Sequence, residues 1–340
     1  MQLYSLTIFR AIAVVLVVFG HTGALGAIDL DNPAELFVRN LLSGATTLFV
    51  FISGFLFHHV FLKKFEYGSF LKKKLVNLGI PYLVLSSVAV AVGCTLPVVV
   101  PHEVFLDQPW LVGFRLATGA SAIAYWYVPF VLTLFAMSPL HARFANLSLR
   151  WQLTIIAVLL GVALFIHRPP ANISPVQNLF YHSPAYLIGI FCSKHRERIY
   201  PLLAKYMWPL LATVVGLAGL QAALGNAGNS YKPALEFAGL DLMLVQKLCL
   251  ALFLLPFLQR FEGRRSKTVD ILAETSFAIF FLHPIFMQLF LSNPLLAPLL
   301  AQESWPLYFA ASVLCVGTCA ALALWARRLF GQQSRLLTGY

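Results

Sequence analysis

The sequence predicts an all-α fold, a polytopic bundle of about ten membrane-crossing helices forming a single domain over residues 1–340. Three observations predict it. Hydrophobic residues make up 59% of the chain and charged residues 11%, whereas soluble domains hold roughly 45–50% apolar and 25% charged residues. Apolar runs recur at about the twenty residues a helix needs to cross the hydrocarbon, at 6–27, 41–61, 79–99, 122–140, 151–167, 179–193, 207–224, 237–258, 276–292 and 305–326. The loops between them alternate in charge. Of the 24 Lys and Arg, 18 fall on one set of loops (Lys63, Lys64 and Lys72–Lys74; Arg143 and Arg150; Lys194 to Lys205; Arg260 to Lys267; Arg327 to Arg335). The opposite set holds Arg39, Arg115, Arg168 and Lys232, together with the acidic Asp29, Asp31, Glu35, Glu103 and Asp107. Because cytoplasmic loops carry the excess of Lys and Arg, both termini are expected in the cytoplasm.

The first run holds two groups that a lipid-facing helix does not tolerate, Arg10 and His21. Eleven residues make three turns plus roughly 20°, so both lie on one face about 16 Å apart along the axis. Ionisable residues inside membrane helices face the bundle interior or a watery cavity. The competing readings are an Arg10 that snorkels to the interface and a His21 that is merely interfacial. The second run carries Phe49-Val50-Phe51-Ile52-Ser53-Gly54-Phe55-Leu56, where small residues let backbones approach closely; His58 and His59 follow at its rim.

Lys72, Lys73 and Lys74 then lead into Gly79-Ile80-Pro81-Tyr82. Clustered lysines suit either anionic lipid head groups or a phosphorylated cytoplasmic ligand. The stretch 101–121 has room for an interfacial helix before Tyr125-Trp126-Tyr127, which is either an aromatic belt or a stacking platform for a sugar ring. His182 opens the sixth run as an interfacial residue. Asp241 and Lys247 in the eighth point about 240° apart and need partners from elsewhere. In the ninth, Pro284 leaves a backbone carbonyl without its donor, and His283 either satisfies such a carbonyl or belongs to the site.

The remaining composition excludes other classes. The net charge of +11 is distributed by topology and no soluble stretch is long enough for a nucleic-acid domain. Cys94, Cys192, Cys249, Cys315 and Cys319 lie inside apolar runs with no metal-ligand spacing, so neither a disulfide framework nor a metal site is expected.

The run from Arg10-Ala11-Ile12-Ala13 to Phe19-Gly20-His21 resembles the Arg-x10-His signature of the integral-membrane acyltransferase family 3. Phe49 to Leu56, the Lys-rich loop before Ile80-Pro81-Tyr82, Trp126-Tyr127 and Leu282-His283-Pro284 agree with it in order and spacing. Two positions depart from the family pattern: Thr7 stands where an acidic residue is frequent, and Lys74-x-x-Asn77 stands where a basic pair is usual. The resemblance implies a bacterial inner-membrane O-acyltransferase, most simply an O-acetyltransferase. The donor would be acetyl-CoA or another acyl-CoA from the cytoplasm. The acceptor would be a hydroxyl of a cell-surface or exported polysaccharide or its lipid-linked precursor, with membrane lipid and polysaccharide-assembly proteins as partners. It makes His21 and Arg10 catalytic, assigns Lys73, Lys74 and Arg10 to the donor, and assigns Trp126, Tyr127 and His283 to the acceptor. A glycan or small-molecule exporter would share the spans, the intramembrane charge and the aromatic vestibule, but would leave its substrate unaltered.

Overall fold

The computed structural model of the chain describes residues 3–26, 31–91, 110–228, 231–300 and 302–340. Asp29, Cys94, Glu103, Asp107, the ends of the first and third expected spans and residues 101–109 lie outside them. In chain order the helices are α1 (Tyr4–His21), α2 (Pro33–Leu42), α3 (Thr46–Leu56), α4 (Tyr67–Lys74), α5 (Ile80–Ala91), α6 (Trp110–Thr118), α7 (Tyr127–Ala136), α8 (Ser138–Asn146) and α9 (Leu149–Ile166). There follow α10 (Pro175–Lys194), α11 (Arg196–Lys205), α12 (Met207–Ala223), α13 (Leu242–Gln259), α14 (Lys267–Glu274), α15 (Ser276–Leu291), α16 (Ala297–Leu300), α17 (Trp305–Phe330) and α18 (Ser334–Thr338).

The helix starts follow from local chemistry. Asn32, Ser174, Asp241 and Ser304 each accept a backbone N–H of the first turn they precede, at 2.9–3.4 Å, and α2, α10 and α17 carry proline at the first or second position. That is where a missing N–H costs nothing. Asp241 is therefore a cap, and the eighth expected run becomes helix α13, which begins at Leu242 instead of residue 237.

Among the described residues six helical stretches are long and apolar enough to cross a membrane, nine if α7–α8, α11–α12 and α14–α15, bent by 56°, 67° and 71°, each count as one. The sixth expected span, α10, is not among them. It carries Gln177, Asn178, His182 and Lys194 along 20 residues, a length of about 30 Å. Its position explains the polarity. Whereas α9 buries three residues, α10 buries twelve, so α9 lies at the periphery and α10 in the interior. There α10 packs against α3: a Cβ on Gly54 would collide with the Tyr186 carbonyl, and one on Gly189 with the Phe51 carbonyl. Reciprocal glycines bring the two backbones together, the packing role expected of the second run.

Two irregular segments lie within the bundle. Residues 119–126, of which 122–126 are the expected start of the fourth span, form turns in which Ala120, Ser121, Ala122, Ala124 and Tyr125 are buried. Gly119, at φ 78°, allows this: a Cβ there would strike the returning backbone at Trp126. Residues 167–172 hold three non-glycine residues at positive φ, His167, Ala171 and Asn172, each costing about 1–3 kcal/mol. Non-helical backbone at membrane depth is tolerated where protein encloses it, and both segments meet at the site.

Candidate active site

Helix α1 packs on α3, α13, α14, α15 and α17, and its Arg10–His21 face is turned to α15. Arg10 Nε donates to Ser276 Oγ at 2.6 Å, and His21 Nδ1 lies 2.9 Å from His283 Nε2. Along the axes, eleven residues of α1 rise about 16 Å and seven of α15 about 10 Å; the long Arg10 side chain spans the difference. The two helices run parallel, the relation expected of the first and ninth of the ten runs read from the sequence. Ser276 is available because α15 starts anew after the 71° bend at Thr275.

The histidine pair has an assignable proton arrangement. His283 Nδ1 is 3.0 Å from the Ile279 carbonyl, which can only accept, so Nδ1 carries the hydrogen and neutral His283 presents Nε2 as an acceptor. His21 Nδ1 must then be the donor, and His21 Nε2 is left with its lone pair. The His283 ring thus reaches a carbonyl one turn back in the proline-interrupted helix and, from its other nitrogen, His21.

His21 faces a cavity of about 260 Å³ whose lining includes Arg39, Ser43, Thr46, Trp126, Arg168, Asn172 and Tyr231. Arg39 Nε donates to the Ala227 carbonyl at 3.3 Å. The Arg168 guanidinium lies 5.5 Å from both the Trp126 and Tyr181 ring centres. The strained segment places it there, anchored by the Lys232 N–H on the Arg168 carbonyl at 2.9 Å and by His167 Nε2 at 2.9 Å from the Gly239 carbonyl.

At the other end of the bundle, Arg10 borders three cavities. One of about 210 Å³ runs inward between Arg10, Lys74, Phe277, Ser53, Tyr127 and Tyr186. A second, of about 710 Å³, opens beside Lys63 and Arg265, and a third, of about 670 Å³, beside Arg327 and Arg335. A further cavity of about 450 Å³ holds Lys73, Lys74, Asn77 and Arg335. Lys74 is shared between the inner and outer spaces, its Nζ lying 4.9, 5.3 and 4.6 Å from the rings of Phe61, Phe70 and Phe135. The Arg10 guanidinium is tied to Ser276 at 2.6 Å and stands 5.2 Å from the Phe277 ring.

The expected residues are therefore gathered at two stations. His21, His283 and Trp126 are at one, and Arg10, Lys73 and Lys74 at the other. Trp126 and Tyr127 do not form a belt, being 4% and 6% exposed, and they part company: Trp126 lines the His21 cavity, Tyr127 the inner Arg10 cavity. The geometry does not bring Tyr127 to the His21 cavity. His182 is fully buried, not interfacial, and stacks on Trp126 at 5.8 Å and 15°. His58 bonds Ser193 at 2.9 Å and His59 borders the outer cavity. Lys247 is structural: its Nζ donates to the Asn40 and Leu41 carbonyls at 2.9 and 2.8 Å, satisfying the end of α2. Sequence reasoning missed Arg39, Arg168 and Asn172 at the first station, and Ser276 and Arg335 at the second. Arg39 and Arg168 did carry a signal, as cations on the side where cations are scarce.

Comparison with curated proteins and with solved structures returns no match. Comparison with protein families returns one described as an acyltransferase domain, over residues 3–324. That span takes in α1 through residue 324 of α17, and so the His21 station and the Arg10 station apart from Arg327 and Arg335. The chain belongs to this acyltransferase family 3 and is a multi-pass membrane enzyme that transfers acyl groups.

Proposed function

We propose that the enzyme transfers an acyl group, most simply acetyl, from acyl-CoA bound at the Arg10 station to a hydroxyl of a glycan bound at the His21 station. The observation that carries this reading is the His21–His283–Ile279 chain. It fixes a neutral imidazole with its free nitrogen on a cavity, at the opposite end of α1 from a cluster of cations. A hydroxyl is a weak nucleophile at neutral pH and needs a positioned base. In this reading His21 Nε2 takes the hydroxyl proton as the oxygen attacks the thioester carbonyl, and the C–S bond then breaks. The proton passes from His21 to the departing thiolate, giving ester and free CoA. His283 Nε2 accepts from His21 Nδ1 throughout and stabilises the imidazolium that forms. Arg10, Lys73 and Lys74 hold the donor phosphates, the 210 Å³ passage admits the thioester arm, and Arg39, Arg168 and Trp126 seat the acceptor. The cation-rich Arg10 station faces the bacterial cytoplasm and the His21 station the far side of the inner membrane.

The direct test is incubation of the purified protein with acyl-labelled acetyl-CoA and surface glycan from the producing cell, followed by NMR of the product. A new ester is the expected result; a glycan carried across vesicles without any ester would replace this reading with the exporter. For orientation, cysteines placed beside Lys72, Arg196 and Arg264 should resist a membrane-impermeant thiol reagent in intact cells, while cysteines beside Asp31 and Gly228 should react. Labelling beside Arg264 from outside would reverse the arrangement.

The lysines can be separated by kinetics. Lys74 borders both the outer cavity and the inner passage, whereas Lys73 borders only the outer one. Lys74→Gln should therefore raise KM for acetyl-CoA more than Lys73→Gln does, by roughly tenfold, with a smaller change in kcat, because binding common to ground and transition states is lost. An unchanged KM in both variants would return these lysines to a lipid-binding role.

A further inference from the structure

The family match ends at residue 324, yet the segment beyond it folds back onto the Arg10 station. Helix α18 wedges against α5, α15 and the turn Leu75–Gly79. It is pinned by several contacts. Gly339, at φ 84°, closes the helix and packs against Phe277 and Phe281. Ser334 Oγ lies 2.8 Å from the Gly331 carbonyl, and Tyr340 Oη donates to Glu274 Oε2 at 3.3 Å. The Arg327 guanidinium stands 4.8 Å from the Tyr340 ring. The consequence is the placement of Arg335, which borders both the 450 Å³ and the 670 Å³ cavities and so stands between Lys73–Lys74 and Arg10. Its charge acts on both Arg10 and Lys74.

Those two cavities together are lined by Arg10, Lys64, Lys73, Lys74, Arg327 and Arg335, against Glu66 and Glu274 as the acidic side chains among the described lining residues. Glu274 is already engaged by Tyr340. So many like charges held together are unfavourable unless an anion joins them. A guanidinium offers a planar fork that matches phosphate oxygens. Where the sequence has Asn77 in place of the second base of the loop, Asn77 and Arg335 border the same cavity.

We infer that α18 is part of the donor site, with Arg335 supplying from outside the family domain a guanidinium contact to the phosphates of the acyl-CoA. This rests on the donor reading above. Arg335 is a binding residue in it, and Gly339 and Tyr340 hold it in position.

The test is CoA binding to the full-length protein in nanodiscs of phosphatidylcholine, by calorimetry, for wild type, Arg335→Gln, Arg335→Lys and Arg328→Gln. Arg328 is exposed at the same end and borders none of the four cavities described there. Arg335→Gln should weaken CoA about tenfold, Arg335→Lys should recover part of that, and Arg328→Gln should bind as wild type does. Unfolding temperatures within a few degrees of wild type establish that the segment still docks. If Arg335→Gln melts early, the Arg335→Lys arm decides: a weakened Kd at wild-type melting temperature supports the inference, and an unchanged one overturns it. Equal CoA affinity in wild type and Arg335→Gln overturns the inference while leaving the donor reading intact. Wild type that binds no CoA removes the donor reading itself. Adding phosphatidylglycerol should leave the difference between wild type and Arg335→Gln in place; its disappearance would assign Arg335 to a lipid headgroup and overturn the inference.

Discussion

His21→Ala should lower acyl transfer at least about a hundredfold, the lower end of what general-base assistance contributes, with the effect in kcat and kcat/KM alike and little change in KM for acetyl-CoA. The reasoning is geometric. His21 lines the cavity with its second ring nitrogen unused by His283, and the cations around Arg10 lie some three turns of α1 away. Removing the ring also leaves His283 Nε2 without its partner, a local cost of about 1–3 kcal/mol. The cavity has room for water, so the protein should still insert and accumulate near wild-type levels, since alanine does not oppose insertion. A variant with full transfer would leave the proposed mechanism without support. Arg10→Lys is the companion measurement: Arg10 combines a 2.6 Å bond to Ser276 with a 5.2 Å approach to Phe277. Lysine keeps the charge but not the planar fork. Near-complete loss would assign Arg10 a directional contact, and a mainly raised KM would assign it a point charge.

Much of the arrangement was legible because it is written in local spacing. Eleven residues between Arg10 and His21 put both on one helical face, and the structure turns that face to a single helix, α15. The polar-residue starts at Asn32, Ser174 and Ser304 are local chemistry as well, and Gly54 within an aromatic run marked a close crossing that Gly189 completes from α10. What was not legible depends on contacts between distant segments. Trp126 and Tyr127 are neighbours in sequence, yet they border different cavities because the turns of 119–126 deliver them to the joint between the two stations. The aromatic-belt expectation failed there, since sequence shows the proximity of an aromatic to a span end but not whether a buried loop carries it inward. His182 was misplaced because α10 is interior. The sparse cations of the far side were legible in a way that went unused. Of Arg39, Arg115, Arg168 and Lys232, the last three are at most 5% exposed, and Arg39 and Arg168 border the His21 cavity. Where topology disfavours positive charge, the cations that remain have structural or chemical work, so exceptions to the charge bias are better guides to a site than the bias itself.

His283 gives the second large effect, and its variants separate a structural histidine from a working one. The Ile279 carbonyl fixes the hydrogen on His283 Nδ1, so His283 Nε2 is an acceptor and His21 keeps its hydrogen on Nδ1. His283→Ala removes that acceptor. The His21 ring is then free to turn or to change tautomer, so that the nitrogen facing the hydroxyl is the base in only part of the population, and the imidazolium formed during transfer loses its partner. Loss of the group that orients a catalytic imidazole has been worth up to about 10⁴ in serine-protease triads. The orienting group here is neutral, so a fall of about a hundredfold in kcat is expected, with KM for acetyl-CoA unchanged. His283→Gln tests the assignment, because a glutamine oxygen can accept from His21 Nδ1 while its amide donates to the Ile279 carbonyl; it should retain at least ten times the activity of His283→Ala. Acidification should mimic His283→Ala, since a proton on His283 Nε2 converts the acceptor into a donor facing His21, and a proton on His21 Nε2 removes the base. Transfer rates should therefore fall as pH is lowered and recover when it is restored. If His283 served only the backbone of α15, Ala and Gln would both reduce folded protein in proportion to activity, and the activity per folded molecule would stay at the wild-type value.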